Sequence, residues 1–160
     1  MYRRILLAYD GTIEGRRALR EGALLAIRCG AEVFLLSVIP ESAGVLMAEG
    51  AQSGAVAQFQ KTYQAVLDEA VVRMKQFGFK PNAKLVWGDP AQQIGAYARQ
   101  IKADLVVVGH RKVGLIERWW SGPSGAYLLD KVECSLLIGR HDIGDEIFEA
   151  ELKRAAAERA

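Results

Sequence analysis

The 160-residue sequence has only two cysteines, Cys29 and Cys134, with no CxxC spacing and no Cys/His cluster. That scarcity argues against a disulfide framework or a zinc ribbon and leaves two reduced thiols packed as small apolar side chains. An excess of one charge is also lacking. Lys and Arg total 21 against 19 for Asp and Glu, the net charge is +2, and no basic run stands out. Nucleic-acid binders draw affinity from clustered phosphate contacts, so no nucleic-acid partner is expected. Long apolar runs are missing too. The opening MYRRILLAYDG breaks at Asp10, too early for a signal peptide, and no other run would span a bilayer. A soluble, cytoplasmic protein without membrane attachment is the expectation. The Walker pattern GxxxxGK[ST], a GxGxxG after the first strand and paired histidines at metal spacing are all absent. No catalytic residue and no metal site is therefore expected, and hydrolase, dehydrogenase and metalloenzyme readings lack support.

What is present is an alternation of two patterns. Short apolar segments rich in β-branched residues, at 5–9, 33–38, 83–87, 105–108 and 135–138, read as five strands. The first, second, fourth and fifth are nearly continuous in apolar residues, as strands covered on both faces are. Between them run helix-like stretches. Residues 13–29 place Ala18, Leu19, Ala23, Leu24 and Ile27 on one side and Arg16, Arg17, Arg20 and Glu21 on the other. Residues 57–77 carry an apolar face through Phe59, Tyr63, Val66, Leu67, Ala70, Val71 and Met74, with Gly78 placed to stop the helix. Asp89 and Pro90 open a third helix as cap and first-turn residue, running to Ile101, and a fourth is expected from near Pro123 to Val132. This βαβ rhythm predicts one α/β domain, Rossmann-like, with a mostly parallel five-stranded sheet flanked by helices.

Two segments stand outside the rhythm. From Pro40 to about Gly54 the chain is Gly/Ala/Ser-rich without periodicity and reads as a loop long enough to form a lid. After Arg140, an apolar stripe of Ile143, Ile147, Phe148 and Leu152 among charges predicts a C-terminal helical extension over 141–160, capped at Asp142, that docks on the body or on a partner subunit. The domain proper is placed at 1–140.

In an open parallel sheet, ligands bind beyond the carboxyl ends of the strands where the strand order reverses. The first and fourth strands are the expected neighbours there. They deliver Ala8-Tyr9-Asp10-Gly11-Thr12 and Val108-Gly109-His110-Arg111-Lys112. Asp10 precedes a helix, so it either caps that helix or meets a ligand's hydroxyls, and the two roles are compatible. His110 has no Ser, Cys or carboxylate arranged for nucleophilic catalysis and reads as an ordinary loop histidine. His141 reads as a surface residue. Trp119 and Trp120 read as packing residues, and Glu117 with Arg118 as a solvated charged pair.

The segment GHRKVGLIERWWSGPS, residues 109–124, resembles the phosphate-binding loop of nucleotide-binding universal stress proteins. That loop follows the pattern Gly, two residues, Gly, nine residues, Gly, then Ser or Thr. Gly109 and Gly122 fall on its first and third glycines. Lys112 stands in place of the second, and Pro123 in place of the Ser or Thr, with Ser124 one position later. The resemblance covers roughly residues 2 to 139, including the first strand and its terminal Asp10. The physics of such a loop is that glycine admits a close backbone approach while a helix N-terminus offers N–H donors to an anion.

The resemblance implies a universal stress protein that binds an adenine nucleotide, ATP or AMP, with Mg as a companion ion, and acts as a sensor or regulatory module in the stress response. It is not implied to be an enzyme beyond a slow ATPase. The implied contacts are Ala8, Asp10, Val38, Val108, Gly109, Arg111, Lys112, Gly122 and Ser124, with Asp10 toward the ribose and the Val38 backbone toward adenine. A homodimer formed through the last strand, Ser135 to Ile138, is implied as well. Lys112 crowds the backbone approach and Pro123 offers neither hydroxyl nor N–H. Those departures motivate an alternative: a dimeric protein-interaction module of the same fold that works without nucleotide.

Overall fold

A computed structural model of the chain describes residues 1–41, 54–109 and 128–158, with Ala55 described by its backbone alone. Strands β1 (Arg4–Ala8), β2 (Glu32–Pro40), β3 (Asn82–Gly88), β4 (Leu105–Gly109) and β5 (Ser135–Gly139) alternate with helices α1 (Ile13–Cys29), α2 (Ala55–Gln76), α3 (Pro90–Ile101), α4 (Leu128–Lys131) and α5 (Asp145–Ala157). The strands form one all-parallel sheet in the order β3-β2-β1-β4-β5. Ile5 and Leu7 of β1 sit opposite Val33 and Leu35 of β2 on one side and Leu105 and Val107 of β4 on the other. The expected strands and helices are thus present. The start expected for the fourth helix near Pro123, and all but the ends of the segment from Pro40 to Gly54, lie outside the described residues.

Side-chain alternation along the strands divides the interior into two layers. Ile5, Leu7, Tyr9, Val33, Leu35 and Val107 pack under α1, α2 and α5, whereas Leu6, Ala8, Leu36, Val106 and Val108 pack under α3 and α4. Ala18, Leu19, Ala23 and Ile27 bury the apolar side of α1 as their spacing predicts. Crossovers through α1 and α2 carry β1 to β2 to β3 on one face, and α3 carries β3 to β4 on the other, so the sheet order reverses between β1 and β4.

Two expectations about apolar faces change. Along α2, Leu67, Ala70 and Met74 are buried, but Phe59 is 36% exposed and Val56 54%. The cause is length: Val66 already sits against Gly11, just past the end of β1, so the turns before it project beyond the sheet. At the C-terminus, α5 forms as expected but starts at Asp145 with Gly144 as N-cap and no side-chain cap. Asp142 is not the cap. Its carboxylate instead accepts from Arg17 at 2.7 Å.

Ile143, just before α5, is buried together with Phe148 and Ala155 on its docked face, and Ile147, 63% exposed, lies on its outer side. The Phe148 ring meets Phe77 edge-on with centroids 4.6 Å apart, and the Arg20 guanidinium lies 5.4 Å over it. Further ion pairs join Arg20 to Asp145 and Arg28 to Glu151. Since the partners of Arg17, Arg20 and Arg28 ascend in the same order, α5 runs parallel to α1.

Candidate functional site

The turn after β1 is built from three interlocked residues. Gly11 has φ of +78°, a conformation that strains any L side chain, and a Cβ there would lie 3.1 Å from a methyl of Val66. Thr12 caps α1, its hydroxyl accepting from the Gly15 N–H at 3.0 Å. Asp10 Oδ1 accepts both the Thr12 N–H, at 3.0 Å, and the Thr12 hydroxyl, at 2.6 Å. Capping therefore belongs to Thr12, and Asp10 orients the cap from behind. Only Oδ1 is engaged in those two bonds, which leaves Oδ2 of the half-buried carboxylate as an acceptor at the carboxyl end of the sheet.

β4 ends beside this turn. A Cβ on Gly109 would lie 2.7 Å from the Glu14 carbonyl carbon and oxygen and 2.8 Å from the Gly15 nitrogen. All three are backbone atoms of the first turn of α1, so no side chain can swing aside. Gly109 is therefore required by the approach of β4 to α1 within the fold itself. Ala8 and Val108 are buried on the α3 side, 7% and 2% exposed, and present only backbone at the strand ends.

Val38 lies on the other flank. The Leu36 carbonyl accepts from the Tyr9 N–H at 2.9 Å, so Leu36 directs its backbone groups toward β1. By the two-residue period of a strand, Val38 directs its own the same way, past the last residue of β1. The five described candidates, Ala8, Asp10, Val38, Val108 and Gly109, thus converge on one end of the sheet at the switch between β1 and β4. Arg111, Lys112, Gly122 and Ser124 lie outside the described residues, as do His110, Glu117, Arg118, Trp119, Trp120 and Pro123.

Other residues near this end were not singled out as site candidates by the sequence. Ser37, 1% exposed in an otherwise apolar strand, donates its hydroxyl to the Tyr9 carbonyl at 2.8 Å and so fixes the residue before Asp10. A lone hydroxyl inside EVFLLSVIP was the available signal. Tyr9 itself is buried, and its Oη has no hydrogen-bond partner among the described residues. Burial pushes the phenol above its ordinary value, opposed by the neighbouring Arg16 guanidinium. Arg16 is held by Glu69 at 3.0 Å, and Glu69 also accepts from Arg73 at 2.9 Å. Burial raises the Glu69 carboxyl, but the two guanidinium groups outweigh it and hold it below its ordinary value. The phenol of Tyr63, on α2, is pushed above its ordinary value by burial and by the charge of Asp10.

A cavity of about 410 Å³ lined by Ala98, Arg99, Lys102, Ala103, Glu133 and Cys134 lies at the opposite end of the sheet. It faces the carbonyl terminus of α3, whose dipole disfavours anions, and it shares no residue with the convergence described above. Both cysteines are free thiols, and burial pushes that of Cys134 up. No helix among the described residues is long and apolar enough to cross a membrane.

Comparison with known proteins bears on the same architecture. A universal stress protein of Methanocaldococcus jannaschii is 26% identical over 139 residues, covering 86% of this chain and 82% of the relative. A universal stress protein solved in complex with cAMP superposes with a TM-score of 0.62 at 21% identity, covering 87% of this chain and 97% of the other. One from Archaeoglobus fulgidus in complex with dAMP gives 0.63 at 19% identity, covering 87% and 98%. At those identities the two structures speak to the fold alone. The sequence model of the universal stress protein family matches residues 1–140, from before β1 to the end of β5, and the chain belongs to that family.

Proposed function

We propose that this chain binds an adenine nucleotide at the carboxyl ends of β1, β2 and β4 and serves as a sensor or regulatory module in the stress response. The observation that carries the reading is Asp10, whose Oδ1 is committed to Thr12 while Oδ2 is left for a ligand hydroxyl. Val38 supplies backbone donor and acceptor groups of the kind that recognise a base edge. The N-terminus of α1, with its first-turn N–H groups and favourable dipole, supports an anionic ligand between β1 and β4. Relatives of the same fold solved with cAMP and dAMP make an adenine nucleotide the ligand class to test first.

Calorimetric titration of nucleotide-free protein with ATP, ADP and AMP tests the reading, with Asp10→Asn alongside because it retains an oxygen for Thr12. Saturable heat in the wild type that falls at least about tenfold in affinity in the variant supports it, the loss expected when a charge-assisted hydrogen bond is removed. No heat with any of the three removes it. The ranking of the nucleotides reports how Lys112 and Pro123, which replace the small and hydroxylated residues of the family's loop pattern, affect the grip on distal phosphates.

Those two replacements also favour a second reading, a dimeric interaction module that works without nucleotide. In either reading the partner surface is β5, an edge strand whose Leu136, Leu137 and Ile138 are only half-buried. A second copy pairing there covers that edge. Light scattering at micromolar concentration giving the monomer mass would sink the dimer.

A further inference from the structure

The face of α2 that packs on the sheet does not stop where the sheet stops. Met74, Ala70 and Leu67 are buried on it, and Val66 touches Gly11 at the end of β1. One turn earlier comes Tyr63, half-buried, whose phenol is pushed up by burial and by the charge of Asp10. Phe59 and Val56 follow at helical spacing on the same side, 36% and 54% exposed. From Val66 to Phe59 the helix rises about 10 Å, so the stripe stands as a wall beyond the carboxyl edge of the sheet, on the flank where β2 ends.

A helix that belonged only to the core would turn polar at this point, because an exposed aromatic ring gains nothing from water. The first turns of α2 keep two rings. The wall is continuous with the ligand site through Val66, which sits against Gly11 next to Asp10, and it rises past the end of β1 beside the edge into which Val38 directs its backbone groups.

We infer that Phe59 and Tyr63 form an aromatic wall that takes the planar face of the ligand's base, making them specificity-determining residues of the site. Val38 meets the edge of the base, Asp10 meets the sugar, and the rings cover the face, which sugar and phosphate contacts leave in water. Aromatic side chains stack on a base through its π face, so the wall selects nucleotides over sugar phosphates. This inference rests on the nucleotide reading given above.

The test is AMP binding by calorimetry to four variants whose fold is checked by circular dichroism and thermal melting. Phe59→Ala and Tyr63→Ala each weaken AMP by about tenfold or more, while Phe59→Trp and Tyr63→Phe, which keep a ring, stay within about threefold. Phe59 is exposed enough that its truncation leaves the core intact. Folded Phe59→Ala and Tyr63→Ala proteins that bind AMP as tightly as the wild type overturn the wall and leave the nucleotide site standing. Equal weakening by the ring-keeping variants overturns it as well, since stacking is then not the cause. Wild-type protein that binds none of ATP, ADP and AMP removes the nucleotide reading, and the wall with it.

Discussion

The Asp10 carboxylate grips Thr12 twice through one oxygen, at the backbone N–H and at the hydroxyl, and Thr12 in turn caps α1. The cap is therefore a two-step relay, and its parts separate by mutation. Thr12→Ala removes the acceptor for Gly15 and one donor to Asp10, and is expected to cost about 1–2 kcal/mol. Thr12→Ser keeps both bonds and is expected to lie within about 0.5 kcal/mol of the wild type. Urea denaturation of the two variants checks this, and equal losses would show that the methyl, not the hydroxyl, matters.

Gly109→Ala brings a Cβ to within 2.8 Å of three backbone atoms of α1. Overpacking against a rigid backbone costs about 1–3 kcal/mol, which for a chain of this length lowers the melting temperature by roughly 2–12 °C. The loss is expected with no nucleotide present. A variant that melts like the wild type and is impaired only in ligand binding would show instead that this glycine serves the ligand rather than the fold.

At the other end of the sheet, Asp104 accepts the backbone N–H groups of Arg3 and Arg4 at 2.7 and 2.8 Å, which hold its carboxyl below the ordinary value. A depressed folded-state value means that the stabilisation is complete above the unfolded value and is lost as pH falls through the folded one. Wild type is therefore expected to be more stable than Asp104→Asn at neutral pH, with the gap closing as pH falls below the ordinary aspartate range. A gap that stays constant down to pH 2 would contradict the assignment.

The attachment of α5 divides into exposed ion pairs and a buried ring. Exposed pairs such as Arg17 with Asp142 contribute about 0–1 kcal/mol each, whereas truncating a buried phenylalanine costs about 3–5 kcal/mol. Phe148→Ala is thus expected to loosen α5 far more than Arg17→Ala, and 0.5 M salt to have little effect on wild type. Hydrogen exchange across residues 143–157 reads the difference. Strong salt sensitivity would reverse the ranking.

Strand order and helix spans were legible because a parallel sheet covered on both faces leaves near-continuous apolar runs, and α1 keeps its arginines strictly apart from its alanines and leucines. Asp89 and Pro90 announced α3 correctly, the carboxylate accepting from Gln92 at 2.9 Å. Other features depend on what lies across space. The pattern of α2 reads the same whether a sheet lies beneath it or has already ended, so the exposure of Phe59 could not be read from spacing. Asp142 looks like a cap in sequence because nothing there reveals Arg17, 125 residues earlier. The positions of Asp10 and Gly109 at the carboxyl ends of β1 and β4 were legible from the strands, while the bond of Ser37 to Tyr9 depends on a neighbour that only the fold supplies.

The clasp between α1 and α5 has a consequence for the order in which the protein is made. Arg17, Arg20 and Arg28 leave the ribosome long before Asp142, Asp145 and Glu151, which follow them by 123 to 125 residues. At about 5–20 residues per second, the nascent chain carries an uncompensated basic ridge along α1 for roughly 6–25 s. During that interval the site end of α1 can already be capped by Thr12, a local contact, while its outer flank has no acidic mate. The capped end of α1 is therefore set early, and its outer flank is fastened only once α5 has emerged.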